Sequence, residues 1–432
     1  MQQFGIVGAG GAGFPSYAKL AEGADLLLIN GSECEPLLYT DYVILKNELT
    51  MVLSGISTVL EHTGIKRAYI AVKAHTAKRL GMAEGERLAD KIYVRVLPDV
   101  YPMGDEISFI YEATGRLVKP GKLPITAGAI VYNVETMYNL GRAVRFSRPV
   151  TEKWLTVGGD IESPTVVRVP VGAKVSDLLR ALNIRLDEKH TVIDGGPSMG
   201  KIINPQTYAV GKTTKAILIL PNDTEAVKSK TMNVKMAIAR AETACCQCTR
   251  CTDMCPRNML GYPLEPHKMV RTAMGVAEVM PQMVISATLC CGCGICESLA
   301  CSQGISPRAV IENYKALLAQ SKLRFNADGE YNVRAEREYR MIPSQKWTST
   351  LGVTKFDRVA DYSGEIDEFE RVEIPLSRHI GAPSIPTVAD GDTVAKGQMI
   401  ARAANGLSLP QHASLSGIVT LGNDKIIIDK VR

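Results

Sequence analysis

Ala244-Cys245-Cys246-Gln247-Cys248-Thr249-Arg250-Cys251-Thr252-Asp253-Met254-Cys255-Pro256 puts Cys245, Cys248, Cys251 and Cys255 in the register C-x2-C-x2-C-x3-C-P. Three thiolates at this spacing wrap a loop around one [4Fe–4S] cubane, and the fourth points away toward the second cluster of a pair. A second run is therefore required. It arrives as Cys290, Cys293 and Cys296 in C-x2-C-x2-C, followed by Cys301 after four residues instead of three, with Ser302 where a proline is usual. The spacing assigns Cys245, Cys248, Cys251 and Cys301 to one [4Fe–4S] cluster and Cys290, Cys293, Cys296 and Cys255 to the other. Cys246 and Cys291 each adjoin a ligand out of register, as bystanders or as substitutes for their neighbours. The alternative metal, zinc in paired C-x2-C knuckles, takes four ligands per ion without a continuous three-cysteine run.

Ten of the 11 cysteines crowd into these two segments of a 432-residue chain whose first residues, Met1 to Phe4, lack the basic and apolar regions of a secretory signal. Metal binding is favoured over disulfides, and the cytoplasm over export. With 46% hydrophobic and 22% charged residues the composition is that of a soluble globular protein, long enough for several modules. The apolar stretches fall short of the ~20 residues that span a bilayer, so no membrane helix is expected. The net charge of +5 comes from 50 basic and 45 acidic residues spread along the chain. Without a long basic run to neutralise a phosphate backbone, nucleic acid is not an expected partner.

Working outward, the N-terminal third alternates strand-like pieces (Leu26 to Ile29, Ala68 to Val72, Tyr93 to Leu97) with a helical pattern from Asp41 to His62 behind an expected Asp41 cap. This predicts an α/β layer. From about 152 to 220 the texture turns β-rich around a short helix, Val175 to Leu182, and predicts a compact α+β module. Residues 223 to 321 are expected to be mostly helical. After a polar connector, residues 372 to 432 show short strands broken by Gly391-Asp392, Gly397-Gln398 and Gly422-Asn423, the pattern of a small β sandwich or barrel.

Near the start, Gly8-Ala9-Gly10-Gly11-Ala12-Gly13 satisfies G-x-G-x-x-G, with Ile6-Val7 before it as a strand and Ser16 to Leu20 after it as a helix. By itself this spells a Rossmann dinucleotide site, with Glu33 in the place of the ribose-binding acid, or simply a glycine-rich turn packing a helix on a strand. The next segment, Ile29-Asn30-Gly31-Ser32-Glu33-Cys34-Glu35-Pro36, changes the weighing. Taken with Gly10-Gly11-Ala12-Gly13-Phe14-Pro15, Tyr101-Pro102-Met103-Gly104-Asp105-Glu106 and Asn133-Val134-Glu135-Thr136, in that chain order, it resembles the flavin site of the complex I flavoprotein subunit and of RnfC-type subunits. The resemblance implies FMN cradled by Gly8, Gly10, Gly11, Gly13, Lys19, Asn30, Glu33, Tyr101, Gly104, Asn133 and Thr136, with NADH facing Phe14, Glu35 and Glu106. Two positions depart from the complex I proteins: Ala9 stands where they carry arginine, and Tyr132 where they have a further asparagine.

The same resemblance extends to the other modules. Leu155 to Leu220 is similar to the soluble-ligand-binding β-grasp (SLBB) module, expected here as a spacer. Ile374-Pro375-Leu376-Ser377-Arg378-His379-Ile380-Gly381-Ala382-Pro383 and His412-Ala413-Ser414-Leu415-Ser416-Gly417 resemble the barrel-sandwich hybrid of biotinyl and lipoyl carriers, without the lysine those carriers modify. RnfC-type proteins have this element first, and here it comes last. The expected fold is therefore a multidomain α/β chain: an FMN and NADH domain over 1–150, the β-grasp module over 151–222, and a helical dicluster domain over 223–322. A connector over 323–371 and the barrel-sandwich hybrid over 372–432 complete it.

The permuted order, the Cys-Cys starts and the x4 spacing resemble the cobalamin reductases of propanediol-utilisation microcompartments. That likeness implies an enzyme that takes two electrons from NADH on a flavin and releases them singly through the clusters to cobalamin or a cobalamin-handling protein, inside a microcompartment whose shell protein is a further partner. The rival is a non-enzymatic relay between protein partners. In either case the flavin supplies hydride chemistry and the clusters single-electron transfer, so no catalytic acid, base or nucleophile is required. His379 and His412, alone in a β-rich module, are expected to be structural rather than metal ligands.

Overall fold

The computed structural model describes residues 1–20, 22–276, 278, 280–327 and 329–431. Its first third is an α/β layer built from β1 (Leu26–Asn30), α1 (Thr40–Thr63), β2 (Ala68–Lys73), α2 (Ala74–Leu80), β3 (Arg87–Ala89), β4 (Ile92–Leu97), β5 (Val100–Tyr101), α3 (Glu106–Thr114), β6 (Ala129–Asn133) and α4 (Val134–Phe146). The sheet runs β3-β4-β2-β1-β6, parallel except for the edge strand β3. In this register Asn30 and Asn133 are partners at the carboxyl ends of adjacent strands, the edge where open parallel sheets place their ligands.

Two local expectations fail here. The glycine motif does not sit between a strand and a helix: Val7 makes only an isolated bridge to Pro15, Gly8 N–H donates to Phe14 O at 2.8 Å, and Ser16–Lys19 is a single 3-10 turn. The loop folds back on itself, and the Rossmann context is absent. Asp41 is not the cap of α1 either; Tyr39 takes that position, and the Asp41 carboxylate turns inward to Lys215 Nζ (2.5 Å) and Asn133 Nδ2 (2.8 Å).

The 24-residue α1 is by length and composition apolar enough to cross a membrane, contrary to the expectation from the sequence. Its apolar face is consumed by the domain core, with Val43, Ile44, Val52 and Ile56 fully buried. It crosses α4 at glycines. A Cβ on Gly55 would collide with the Met137 carbonyl, and one on Gly141 with the Met51 carbonyl. Backbone carbonyls cannot step aside as side chains do.

The second module is a sheet of β7 (Glu152–Gly159), β8 (Thr165–Pro170), β9 (His190–Asp194), β10 (Lys201–Ile202) and β11 (Ala216–Pro221), with α5 (Val175–Ala181) packed on it. Asp361–Glu365, from the segment expected as a connector, extends this sheet in parallel beside β8. The same segment pairs Ile342–Pro343 with β5 and stacks fully buried Trp347 on Tyr101, ring centroids 4.6 Å apart. It is therefore a staple between modules.

Helices Val234–Ala244, Pro266–Ala273 and Pro307–Gln320 surround the two cysteine loops. The last module holds two small sheets around Val372, Ile374, Ile400, Val419, Ile426 and Ile428. His379 there bonds to Ala382 O at 3.0 Å, and burial beside Lys212 pushes His412 down to about 4. The barrel reaches back to the start of the chain. Ile380 N–H donates to Gly13 O (3.1 Å), Tyr17 Oη to Ser408 O (3.3 Å), and Lys212 Nζ bridges Gly5 O and Pro410 O.

The glycine crossing yields a direct test. Gly141→Ala is expected to lower stability by about 1–3 kcal/mol, the usual range for overpacking, seen as a fall in thermal midpoint with iron and flavin content per folded molecule unchanged. An unshifted midpoint would show that α1 and α4 part freely.

Candidate functional site

The glycine loop presents free donors. The N–H groups of Gly10, Gly11, Ala12 and Gly13 donate to no protein acceptor among the described residues, and Gly10, Gly11 and Ala12 are exposed. Open space lies over Gly11. A Cβ on Gly10 would sit 2.8 Å from Asn133 Nδ2, so only glycine lets the loop lie on that amide. Successive unpaired N–H groups of this kind receive phosphate and other anionic or acceptor groups. The loop thus fits a flavin nucleotide.

Behind the loop, several of the residues predicted as flavin ligands are tied into the scaffold. Thr136 Oγ1 accepts from Ala9 N–H (3.1 Å) and donates to Val7 O (3.3 Å), fully buried. Asn133 donates through Nδ2 to Asp41 and to Asn30 O, and its Oδ1 accepts the Glu135 N–H as the cap of α4. Asn30 holds Gly104 O through Nδ2 (3.1 Å) and the Ser32 N–H through Oδ1 (3.0 Å). These groups shape the site more than they face into it. At the rim, Lys19 Nζ pairs with Glu106 at 2.7 Å, both partly exposed, and Phe14 is partly exposed.

Under this floor lies a charge network that no local motif announced. Lys153 pairs with Glu135, each 1% exposed, and Lys215 Nζ sits between Asp41 (2.5 Å) and Glu135 (3.9 Å). Both lysines come from the β-grasp module, so it supplies more than spacing. Glu33 accepts the Tyr42 N–H with Oε2 (3.2 Å), while its Oε1 is closed off from solvent and unpartnered. Burial, with the Asp41 carboxylate adding to it, pushes the Glu33 carboxyl up to about 7.

Tyr101 and Glu35 face elsewhere than expected. Tyr101, 2% exposed, donates to Cys293 O at 2.7 Å and contacts Ser198 Oγ. The Glu35 carboxylate accepts the N–H groups of Ser198 (2.9 Å) and Met199 (2.7 Å). Both join the flavin-type domain to the β-grasp and cluster segments. Asp105, beside Gly104, makes a further tie through Arg257 Nη2 at 2.6 Å.

The eight register cysteines gather into the two expected quartets. Cys245, Cys248, Cys251 and Cys301 line one cavity; Cys255, Cys290, Cys293 and Cys296 line a second. The Cys251 thiol is pushed up to about 12 by burial and by Cys301, Cys248 and Cys245, which face it across the first cavity. Burial and the nearby Cys290 and Cys291 likewise push Cys255 up to about 12. The two loops repeat one backbone shape: Gln247 and Thr249 in the first, Gly292 and Gly294 in the second, all have positive φ. The extra residue before Cys301 is absorbed in the turn at Leu299 and Ala300 after Ile295–Ser298. Cys246 and Cys291 also border their cavities. Among the described residues no three metal-ligating side chains converge on a single ion, and the quartets spread around a volume suits a cubane better than zinc.

The Glu33 environment gives a pH test. A carboxyl held above its ordinary value keeps a proton in the folded state that the unfolded chain releases, so folding loses stability as pH rises from 4.5 to about 7. Glu33→Gln is expected to remove that loss: relative to wild type, its thermal midpoint rises across this window and stays offset above it. Equal offsets at pH 5 and pH 8 would reject the assignment.

Three family models match the chain: the Nuo51 FMN-binding domain over residues 1–142, a 4Fe-4S dicluster domain over 244–306, and the RnfC barrel sandwich hybrid domain over 363–426. Cobalamin reductase PduS of Salmonella typhimurium is 36% identical over 425 residues, covering 98% of this chain and 94% of that protein. Cobalamin reductase PduS of Citrobacter freundii is 36% identical, covering 96% and 92%. A component of the proton-translocating ferredoxin:NAD(+) oxidoreductase complex of Clostridium ljungdahlii is 30% identical over 60% of this chain and 55% of its own. A glycine loop with free donors, two cysteine quartets and this end-to-end likeness lead to one conclusion: the chain is a flavin and iron–sulfur oxidoreductase belonging to the family of the cobalamin reductases PduS.

Proposed function

We propose that this chain takes electrons from NADH on FMN and passes them singly through two [4Fe–4S] clusters to cobalamin. The observation that carries the proposal is the junction of a donor-rich glycine loop and two cysteine quartets in one chain, together with likeness along 98% of its length to a protein named cobalamin reductase. FMN supplies the exchange between a two-electron hydride donor and one-electron carriers. In this assignment the N–H groups from Gly10 to Gly13 and Lys19 hold the FMN, with Gly8, Asn30, Glu33 and Gly104 around it. Thr136 and Asn133 position the loop, and Phe14 and Glu106 border the nicotinamide side. Tyr101 and Glu35 act by joining that domain to the clusters. The corresponding cellular setting is the cytoplasm, within a microcompartment and against its shell protein.

A second assignment, a relay to a protein partner without cobalamin reduction, is favoured by the likeness to the component of the ferredoxin:NAD(+) oxidoreductase complex. Stopped-flow mixing of the anaerobic protein with NADH and then with cob(II)alamin separates the two. Flavin bleaching followed by oxidation of the reduced protein by the corrin is expected; bleaching without that reoxidation supports the relay, and no bleaching rejects NADH as donor.

The crossed ligation is tested separately. Cys255→Ser is expected to disturb the cluster of the Cys290–Cys296 run and leave the other intact by iron count and electron paramagnetic resonance. Loss confined to the Cys245–Cys251 cluster would overturn the pairing.

A further inference from the structure

The two cysteine cavities are not equivalent in their surroundings. The second, that of Cys255, Cys290, Cys293 and Cys296, lies against the flavin-type domain. Tyr101 Oη donates to Cys293 O at 2.7 Å, Ser198 Oγ reaches the same carbonyl at 2.8 Å, and Arg257, two residues after Cys255, pairs with Asp105 at 2.6 Å. Asp105 follows Gly104, whose carbonyl is held by Asn30 at the sheet edge. A run of bonded neighbours therefore leads from the glycine-loop edge to the wall of the second cavity. Three of its four cysteines are buried.

The first cavity has the opposite character. Every residue lining it belongs to 245–307. Cys248 is exposed, Cys245, Cys251 and Cys301 are partly exposed, and Gln247, Ser302 and Gln303 open its rim to solvent. No hydrogen bond among the described residues joins its cysteines to the flavin-type domain. The two cavities are themselves close neighbours, since the short helix Arg250–Asp253, which carries Cys251 of the first, packs against Ile295–Ser298, which carries Cys296 of the second.

We propose that the cluster of Cys255, Cys290, Cys293 and Cys296 is the entry site for electrons from the flavin, and that the cluster of Cys245, Cys248, Cys251 and Cys301 is the exit site, whose open rim receives the acceptor. The assignment rests on the flavin-to-cluster function proposed above. Each pass moves one electron from reduced flavin to the oxidised entry cluster, from there to the oxidised exit cluster, and out to a one-electron acceptor. Two passes return the flavin to its oxidised form with release of its protons to solvent. Both clusters end as they began.

The test compares two variants with wild type, all anaerobic and with iron counted, following each cluster by electron paramagnetic resonance after rapid freezing. In Cys248→Ser, flavin reduction is expected to reduce the remaining cluster as in wild type, while onward transfer to a one-electron acceptor is lost. In Cys290→Ser, the remaining cluster should accept electrons from dithionite but no longer from the flavin. Reduction of that cluster by the flavin at the wild-type rate would overturn the order. If a variant fails to assemble its remaining cluster, Cys301→Ser and Cys296→Ser take the two places. Photoreduction of the flavin in place of NADH keeps the outcome separate from the donor: failure with NADH but success with light rejects only the donor, and leaves the order supported.

Discussion

Two ammonium groups inserted from one module into another hold the centre of this molecule. Lys153 and Lys215 leave the β-grasp sheet and end among Glu135 and Asp41 beneath the glycine loop, almost wholly out of water. Removing such charges from solvent costs several kcal/mol per ion, offset only when partners and hydrogen bonds are complete. The pairs contribute specificity of docking more than net stability, because any other seating of the two modules would bury these charges unmatched. Asp41 also fixes the Asn133 amide against which Gly10 lies. The geometry of the loop is thereby tied to the seating of a separate domain.

How much of this was legible in the sequence depends on how far apart the partners lie. The cysteine quartets were readable because each set of three is local and the fourth follows from the known crossing. The α/β layer followed from apolar runs of strand length alternating with a helical pattern; that its strands run parallel came from the structure. The glycine motif was readable as a loop but not as its fold, since the backward turn of Gly8 onto Phe14 comes from contacts with Thr136 and with the barrel. Tyr101 and Glu35 matched a flavin motif in type and order, yet their partners lie 192 and 163 residues away. No periodicity or spacing records such pairs. The same holds for Lys153 and Lys215, which no local motif marks and whose partners meet them only when the sheets are brought together.

The cysteine loops show one backbone solution reached with different side chains. The second loop uses Gly292 and Gly294 where left-handed backbone is needed, which costs glycine little; the first uses Gln247 and Thr249, which adopt it at about 1 kcal/mol or more each. Thr249 recovers part of that through its hydroxyl, which donates to Asp253 at 2.9 Å. The same left-handed positions thus recur in both loops although the residues that fill them differ.

The clasp of the barrel on Gly5, Gly13 and Tyr17 has a consequence for how such proteins diversify. The barrel follows the cluster segment in the chain yet packs on the glycine loop, so its address in space is defined by the surface it touches and not by the order of segments in the gene. A module anchored this way can be moved from one end of the coding sequence to the other and still find the same seat, leaving the redox machinery between undisturbed. Gene rearrangement is then silent to the fold, provided the linker is long enough to reach.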